Sequence, residues 1–322
     1  MALEGPDDGR PGDDRVLILN PVSGSGDHVD EVVERGRAHG FEIRKTEEEG
    51  DAHRLAREAA PETDLVAAAG GDGTVNGVVD GVAAADALET TTVAVVPAGT
   101  GNNFAANIGI EGIEHAFAVL EAGGRRSIDV GVANDRVFVN SCVGGITAEA
   151  SSETSSEGKE ELGVLAYVKT TLETIGSFDS LPLRVKTAAG PNGETAREWE
   201  GDAMLVLIGN CRRFTGARTA QAHVEDGLFE VTIVADASPT DLLRGATVAG
   251  VFDRDSDHIV RRRTPSLAIE SRRDSVEYSL DGEMLEAETL RLETSTETLC
   301  VAVGEGYQPD PDGGELWSFD RS

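Results

Sequence analysis

The chain has 322 residues, enough to bury two separate cores, and its 39 % hydrophobic and 27 % charged residues are ordinary for a globular protein. Against 28 basic residues stand 59 acidic ones, a formal net charge of −31, which excludes the basic footprint that a nucleic-acid partner requires. No apolar run nears the about 18 residues that span a bilayer, no basic–apolar leader is visible, and Cys142, Cys211 and Cys300 form no CxxC pair, which argues against a membrane span, a secretory signal, a disulfide framework and a zinc site.

The acids are spread along the chain, and only Lys45, Lys159, Lys169 and Lys186 among the basic residues are lysines. That distribution fits a halophile better than a surface made for basic partners. At molar salt the Debye length falls to about 3 Å and a dense acidic surface stays solvated.

The first dozen residues, rich in Gly, Pro and Asp, read as a disordered tail. Residues 15–19 (RVLIL) form a buried strand, followed by a Gly/Ser turn and a helix carrying Val29, Val32 and Val33 up to Gly40. A strand at 41–45 precedes a helix over 52–60, with Asp51 as its expected cap and Pro61 as its stop. Strand 65–69, turn 70–74 and helix 75–85 repeat the alternation, as do strand 92–96 and the helices 104–107 and 113–120. Strands alternating with helices predict a doubly wound parallel α/β sheet. After residue 124 the pattern changes. Residues 127–132 and 136–140 flank Asn134-Asp135 as a hairpin, 153–161 reads as a loop, and 162–178 carries a helical apolar face. Strands then dominate at 183–187, 203–208, 228–234, 267–270, 275–280, 289–293 and 299–303, with a helix near 241–249. This second half reads as an antiparallel, sandwich-like module.

Three Gly-rich turns follow strands and open helices: Asn20-Pro21-Val22-Ser23-Gly24-Ser25-Gly26, Gly70-Gly71-Asp72-Gly73-Thr74, and Pro97-Ala98-Gly99-Thr100-Gly101-Asn102-Asn103. Glycine lets backbone N–H groups approach an anion, and a helix N-terminus favours one. All three lie at the carboxyl edge of the parallel sheet, where ligands bind in such folds. Ser23, Thr74 and Thr100 are expected to add hydroxyl donors. None of the turns has the Walker A or GxGxxG spacing, so phosphate binding rests on their convergence. Asp72, between glycines, reads either as a turn former or as a Mg²⁺ holder beside bound phosphates.

The order NPxSG, GGDGTxN, PxGTxN resembles the catalytic domain of the diacylglycerol kinase family, shared with sphingosine kinases and bacterial lipid kinases. Gly209-Asn210, Asp226-Gly227-Leu228 and Asp281-Gly282-Glu283 follow in the family's order, so the resemblance runs from about Val16 to Val303. It implies an ATP- and Mg²⁺-dependent lipid kinase acting on a hydroxyl of a diacylglycerol-like lipid, ether-linked if the source is a haloarchaeon. The implied nucleotide residues are Asn20, Ser23, Gly24, Gly70, Gly71, Gly73, Thr74, Gly99, Thr100 and Asn102. Implied in catalysis are Glu283 as general base and Asp72, and in metal binding Asp72, Asp226 and the Leu228 carbonyl. Without the resemblance, both Asp281-Gly282-Glu283 and Asp226-Gly227 read as plain turns.

Three positions depart from the family pattern. Gly77 replaces a Glu, Asn103 replaces an Asp, and Gly145-Ile146-Thr147-Ala148 replaces Gly-Phe-Asp-Ala, with Glu149 close by as a substitute acid. These losses keep a non-catalytic nucleotide or lipid sensor open as a reading, and an NAD kinase is the other alternative. The expected nucleotide domain spans 16–124, with 303–322 returning to it, and the lipid-substrate domain spans 125–302. Leu162, Val164, Leu165, Tyr167 and Val168 read as core or as a tail pocket. Arg212, Arg213 and Arg218, and Arg261 to Arg263, read as anion contacts or as partners of local acids. His28, His53 and His115 are placed on helix surfaces. The expected partners are ATP and, transiently, a lipid at the membrane surface; a homodimer is left open. The expected location is cytoplasmic, with peripheral membrane contact.

Overall fold

A computed structural model describes residues 15–145, 180–215, 218–235 and 258–311. The loop at 153–161, the helices at 162–178 and 241–249, the apolar stripe within 162–168, and positions 146–149 lie outside them.

Four strands form the parallel core: β1 (Arg15–Leu19), β2 (Phe41–Lys45), β3 (Leu65–Gly70) and β4 (Thr92–Pro97), in spatial order β2-β1-β3-β4. Every residue of β3 and β4 is buried, as expected of strands covered on both faces. Helices α1 (Val29–Ala38), α2 (Asp51–Ala59), α3 (Asp72–Ala84), α4 (Asn103–Asn107) and α5 (Ile113–Ala122) connect and cover them. Two expected boundaries move. α3 starts at Asp72, so Asp72, Gly73 and Thr74 are its first turn and not a preceding loop. Asp51 does not cap α2. Gly50, with φ 84°, holds that position, and the Asp51 carboxylate accepts the N–H groups of Glu47 and Glu48 at 2.8 and 3.1 Å.

The second half is antiparallel. It comprises β5 (Arg125–Ala133), β6 (Arg136–Phe138), β7 (Ser141–Gly145), β8 (Leu181–Thr187), β9 (Arg197–Gly209), β10 (Arg212–Thr215), β11 (Arg218–Gln221), β12 (Phe229–Ala235), β13 (Ile259–Thr264), β14 (Ser266–Ser271), β15 (Val276–Leu280), β16 (Glu283–Ala287) and β17 (Thr289–Ala302). β5 and β6 form the expected hairpin, with Asn134 at φ 52°. The strands expected at 289–293 and 299–303 are one strand, β17, whose pairing with β5 shifts register between Ser295 and Leu299.

β17 joins the halves. Its start pairs with β14, its end runs parallel to β4 at Val301↔Val93, and β5 pairs along most of its length. Ile128 and Val130 of β5 and Leu299 and Val301 of β17 bury into the α/β core, while Leu290 and Leu292 bury into a second core with Phe138, Phe229 and Tyr278. Beyond β17, Gly304 N–H bonds Ile108 O at 2.9 Å, and Tyr307 packs on the first core.

Candidate active site

The three glycine turns interlock. In the first, Asn20 N–H bonds Ala69 O at 2.9 Å, Asn20 Nδ2 donates to Thr74 Oγ1 at 3.2 Å, and Val22 N–H bonds Asn20 Oδ1 at 3.1 Å. One side chain thus shapes its own turn and ties it to the second. Ser23 Oγ lies 3.0 Å from both Asn20 O and Ala98 O, which ties the first turn to the third. Gly24 has φ 55°, and a Cβ there would stand 2.9 Å from Ala98 O, so this position needs glycine. His28 is buried beneath the turn, not on a helix surface, with Nε2 3.1 Å from Asn20 O.

The second and third turns touch backbone to backbone. Ala98 N–H bonds Gly70 O at 3.0 Å and Asp72 N–H bonds Gly101 O at 3.1 Å. A Cβ on Gly99 would meet Gly71 Cα at 2.2 Å. Asn102 closes the third turn on Gly99, accepting its N–H at 3.1 Å and donating to its carbonyl at 2.8 Å. The N–H groups of Gly73, Thr100 and Gly101 make no hydrogen bond among the described residues, and Gly73 and Thr100 are exposed. Backbone donors left free in this way suit an anion. The hydroxyls differ from expectation in role. Thr74 is buried and accepts from Asn20, Ser23 faces two carbonyls, and Thr100 alone of the three is exposed.

Asp72 serves α4. Its Oδ2 accepts Asn103 N–H at 3.0 Å and Asn103 Nδ2 at 2.9 Å, and its Oδ1 accepts Phe104 N–H at 2.9 Å. A carboxylate on a helix N-terminus satisfies its free donors. Asn103 therefore has a reason to be an amide: an acid there would face Asp72 with no proton to give. Gly77 has a reason too. It is buried where α3 crosses α2, and a Cβ would sit 3.1 Å from Ala52 Cβ.

The acid segment lies in the hairpin between β15 and β16. Asp281 (φ 51°) and Gly282 (φ 104°) form a two-residue turn with both φ positive, as a type I′ hairpin demands. Asp281 is turned inward and accepts the N–H groups of Val139, Asn140 and Ser141 at 2.7, 3.0 and 2.7 Å. Burial pushes its pKa up to about 6, the nearby Asp72 charge adds to the rise, and the three backbone donors oppose it. With its amide nitrogen turned to face two acceptors, Asn76 Nδ2 lies 3.2 Å from both Asp281 Oδ2 and Val137 O. Glu283, the first residue of β16, is exposed, and its Oε2 accepts Arg136 Nη2 at 2.6 Å. Burial lowers the Arg212 pKa, and the nearby Asp72 and Asp281 charges oppose the fall.

Asp226 sits apart from this group. Its Oδ1 accepts Leu228 N–H at 3.0 Å, its Oδ2 pairs with Arg263, and burial raises its pKa. Arg263 also reaches Glu230 at 3.1 Å, and Arg262 Nη2 donates to Glu198 O at 3.3 Å. Asp226 would face a cation only once Arg263 moved away. Among the described residues no group of three or more His, Cys, Asp or Glu side chains is placed to hold a metal. None of their helices is long and apolar enough to cross a membrane.

The turns thus share one sheet edge with Asp72, while Asp281 and Arg212 come near from the antiparallel half. Sequence reasoning missed Asp80, Arg136 and the role of Asn76. The available signal was the spacing of Asp72, Asn76 and Asp80, which puts them on one face of α3.

An interlocked glycine edge on a parallel sheet is joined to a β-rich module that carries Asp281 and Glu283 on one hairpin. Residues 14–133 match the diacylglycerol kinase catalytic domain, and residues 140–303 match the YegS C-terminal NAD kinase beta sandwich-like domain. The chain belongs to the diacylglycerol kinase catalytic family and is a lipid kinase. It is 33 % identical over 285 residues to "Probable lipid kinase YegS-like" of Pectobacterium atrosepticum, covering 86 % of this chain and 92 % of that one. It is 31 % identical over 278 residues to "Diacylglycerol kinase" of Bacillus subtilis, covering 83 % and 88 %. Its fold is similar to a candidate diacylglycerol kinase from Bacillus anthracis str. Sterne, with TM-score 0.74, 24 % identity, and coverage of 95 % and 100 %. The NAD kinase alternative is not favoured, since the N-terminal match is to the lipid-kinase catalytic domain.

Proposed function

We propose that this chain transfers the γ-phosphoryl group of ATP to a hydroxyl of a diacylglycerol-like lipid, with Mg²⁺. The observation that carries the reading is the interlocked glycine edge with free N–H groups at Gly73, Thr100 and Gly101. Those donors, with the nearby Arg212 charge, suit the β- and γ-phosphates. Asn20, Ser23, Gly24, Gly70, Gly71, Thr74, Gly99 and Asn102 act by holding the edge in that shape.

The lipid hydroxyl oxygen forms a bond to the γ-phosphorus, the bond to the β,γ-bridging oxygen breaks, and ADP leaves. The hydroxyl proton passes to the Glu283 carboxylate, whose Oε1 has no partner among the described residues. Asp72, the acid on this edge, would hold a Mg²⁺, which would neutralise phosphate charge. Asp226 with the Leu228 carbonyl is a weaker second candidate, given its pairing with Arg263. The net charge of −31 fits a source with molar internal salt, for which an ether-linked dialkylglycerol is the expected acceptor. The kinase meets that lipid from the cytoplasm at the membrane surface.

The test is γ-labelled ATP and Mg²⁺ in molar salt, with a total lipid extract of the source organism. Wild type should label one lipid class, and Glu283→Ala and Asp72→Ala should lose the product. ATP binding without any labelled lipid would overturn the reading.

A further inference from the structure

We propose that Arg136 is a positioning residue that registers Glu283 against α3, and through α3 against the phosphate edge. The inference rests on the reading of Glu283 as general base. It starts from α3, which carries Asp72 at its first residue, then Asn76 and Asp80 one and two turns further on the same face. Eight residues of helix span about 12 Å. Thr74, Val75, Asn76, Gly77, Val78, Val79, Gly81 and Val82 are all buried, so this rod is held on nearly every side.

Each of the three polar residues on that face meets a different part of the site. Asp72 ties the phosphate edge to α4. Asn76 meets Asp281 and Val137 O. Asp80 Oδ1 accepts Val137 N–H at 3.2 Å, and its Oδ2 lies 3.6 Å from Arg136 Nε and 3.7 Å from His53 Nε2. Arg136 then uses Nη2 to hold Glu283 Oε2 at 2.6 Å. A planar guanidinium places its donors in a fixed fork, so a single side chain sets the spacing between the α3 acid and the base. The hairpin carrying Glu283 is anchored from the same segment, because Asp281 takes the N–H groups of Val139, Asn140 and Ser141. Among the described residues only Oε2 of Glu283 is engaged, which leaves Oε1 to receive the substrate proton.

The Arg136 side chain is 36 % exposed and that of Glu283 45 %, and a pair this open to solvent adds little to stability. A merely structural Arg136 would therefore be dispensable, whereas a positioning residue would show in turnover alone. The experiment compares wild type with Arg136→Lys, Arg136→Gln, Glu283→Gln and the double variant Arg136→Gln/Glu283→Gln. Each is given ATP and detergent micelles of mixed diacylglycerol and dialkylglycerol, with Tm and KM for ATP measured alongside. Glu283→Gln should lose about 100-fold or more in kcat. Arg136→Gln should lose about 10- to 100-fold in kcat, at unchanged KM for ATP and unchanged Tm. Arg136→Lys should recover part of the loss, and the double variant should be no slower than Glu283→Gln.

An Arg136→Gln enzyme with wild-type or faster turnover, beside an inactive Glu283→Gln, would overturn the positioning role and leave the base assignment standing. So would a loss confined to KM or Tm, or losses that multiply in the double variant. A Glu283→Gln enzyme that keeps its turnover would overturn the base assignment, and the positioning role with it.

Discussion

The glycine edge and the acid hairpin are built on opposite principles. At the edge, shape comes from short-range backbone contact: Gly71 against Gly99, Gly24 against Ala98 O, and Asn102 folded onto its own turn. At the hairpin, the local turn is generic, and its place is fixed by partners more than a hundred residues away, at Val139, Asn140, Ser141 and Arg136. An edge made this way has no room for an added atom at Gly24 or Gly99. A hairpin held this way tolerates changes of shape but not the loss of its buried acceptor.

The largest stability effect should come from the hairpin. Asp281→Ala removes the acceptor of three part-buried backbone N–H groups, at a cost of roughly 3 kcal/mol by chemical denaturation, most of it from orphaned donors. A cost near zero would mean that β16 is not anchored by Asp281. At the edge, Gly99→Ala drives a methyl into Gly71 Cα, and overpacking of this kind costs about 1–3 kcal/mol. Its sharper signature is a loss of at least about tenfold in nucleotide affinity, because the turns cannot separate without moving their N–H groups. Wild-type affinity in a folded Gly99→Ala protein would show that the contact does not matter for binding.

The smallest effect sharpens the contrast through pH. Burial lifts Asp281 to about pKa 6, so the native state holds a proton that the unfolded chain releases above its ordinary value near 3.8. Stability from that group is full below about pH 4 and is lost as pH rises through 6. Asp51 has the opposite sign. Hydrogen bonds from the Glu47 and Glu48 N–H groups and from Arg54 pull it down to about 2, so its contribution is full above pH 4 and lost as pH falls toward 2. Asp281→Asn should flatten the Tm profile between about pH 4 and 6, and Asp51→Asn should flatten it below 4. The reverse assignment of slopes would contradict both environments.

This division also sets what the sequence reveals. β1, β3 and β4 are legible because strands covered on both faces must be apolar throughout, and RVLIL, LVAAAG and TVAVVP leave no other reading. The glycine turns are legible because each follows such a strand. β7 (SCVGG), β13 (IVRRRT) and β16 (EMLEA) are not, since glycine, arginine and glutamate carry no strand signal and their pairing partners are distant. β17 reads as two strands because the polar stretch Thr294 to Thr298 hides a register shift inside one. The missing acids at 77 and 103 look like lost function in the sequence. In the fold they are a helix crossing and a partner for Asp72. The Arg136–Glu283 pair joins residues 147 apart, and no local pattern announces it.

On the proposed reading the edge binds nucleotide and the hairpin reacts. That reading is tested most directly by measuring ATP affinity calorimetrically and single-turnover phosphoryl transfer separately, for wild type and Glu283→Gln. Glu283→Gln should keep an ATP affinity within about twofold of wild type and transfer phosphoryl at least about 100-fold more slowly. A Glu283→Gln protein that transfers phosphoryl at the wild-type rate, or that fails to bind ATP while correctly folded, would contradict it.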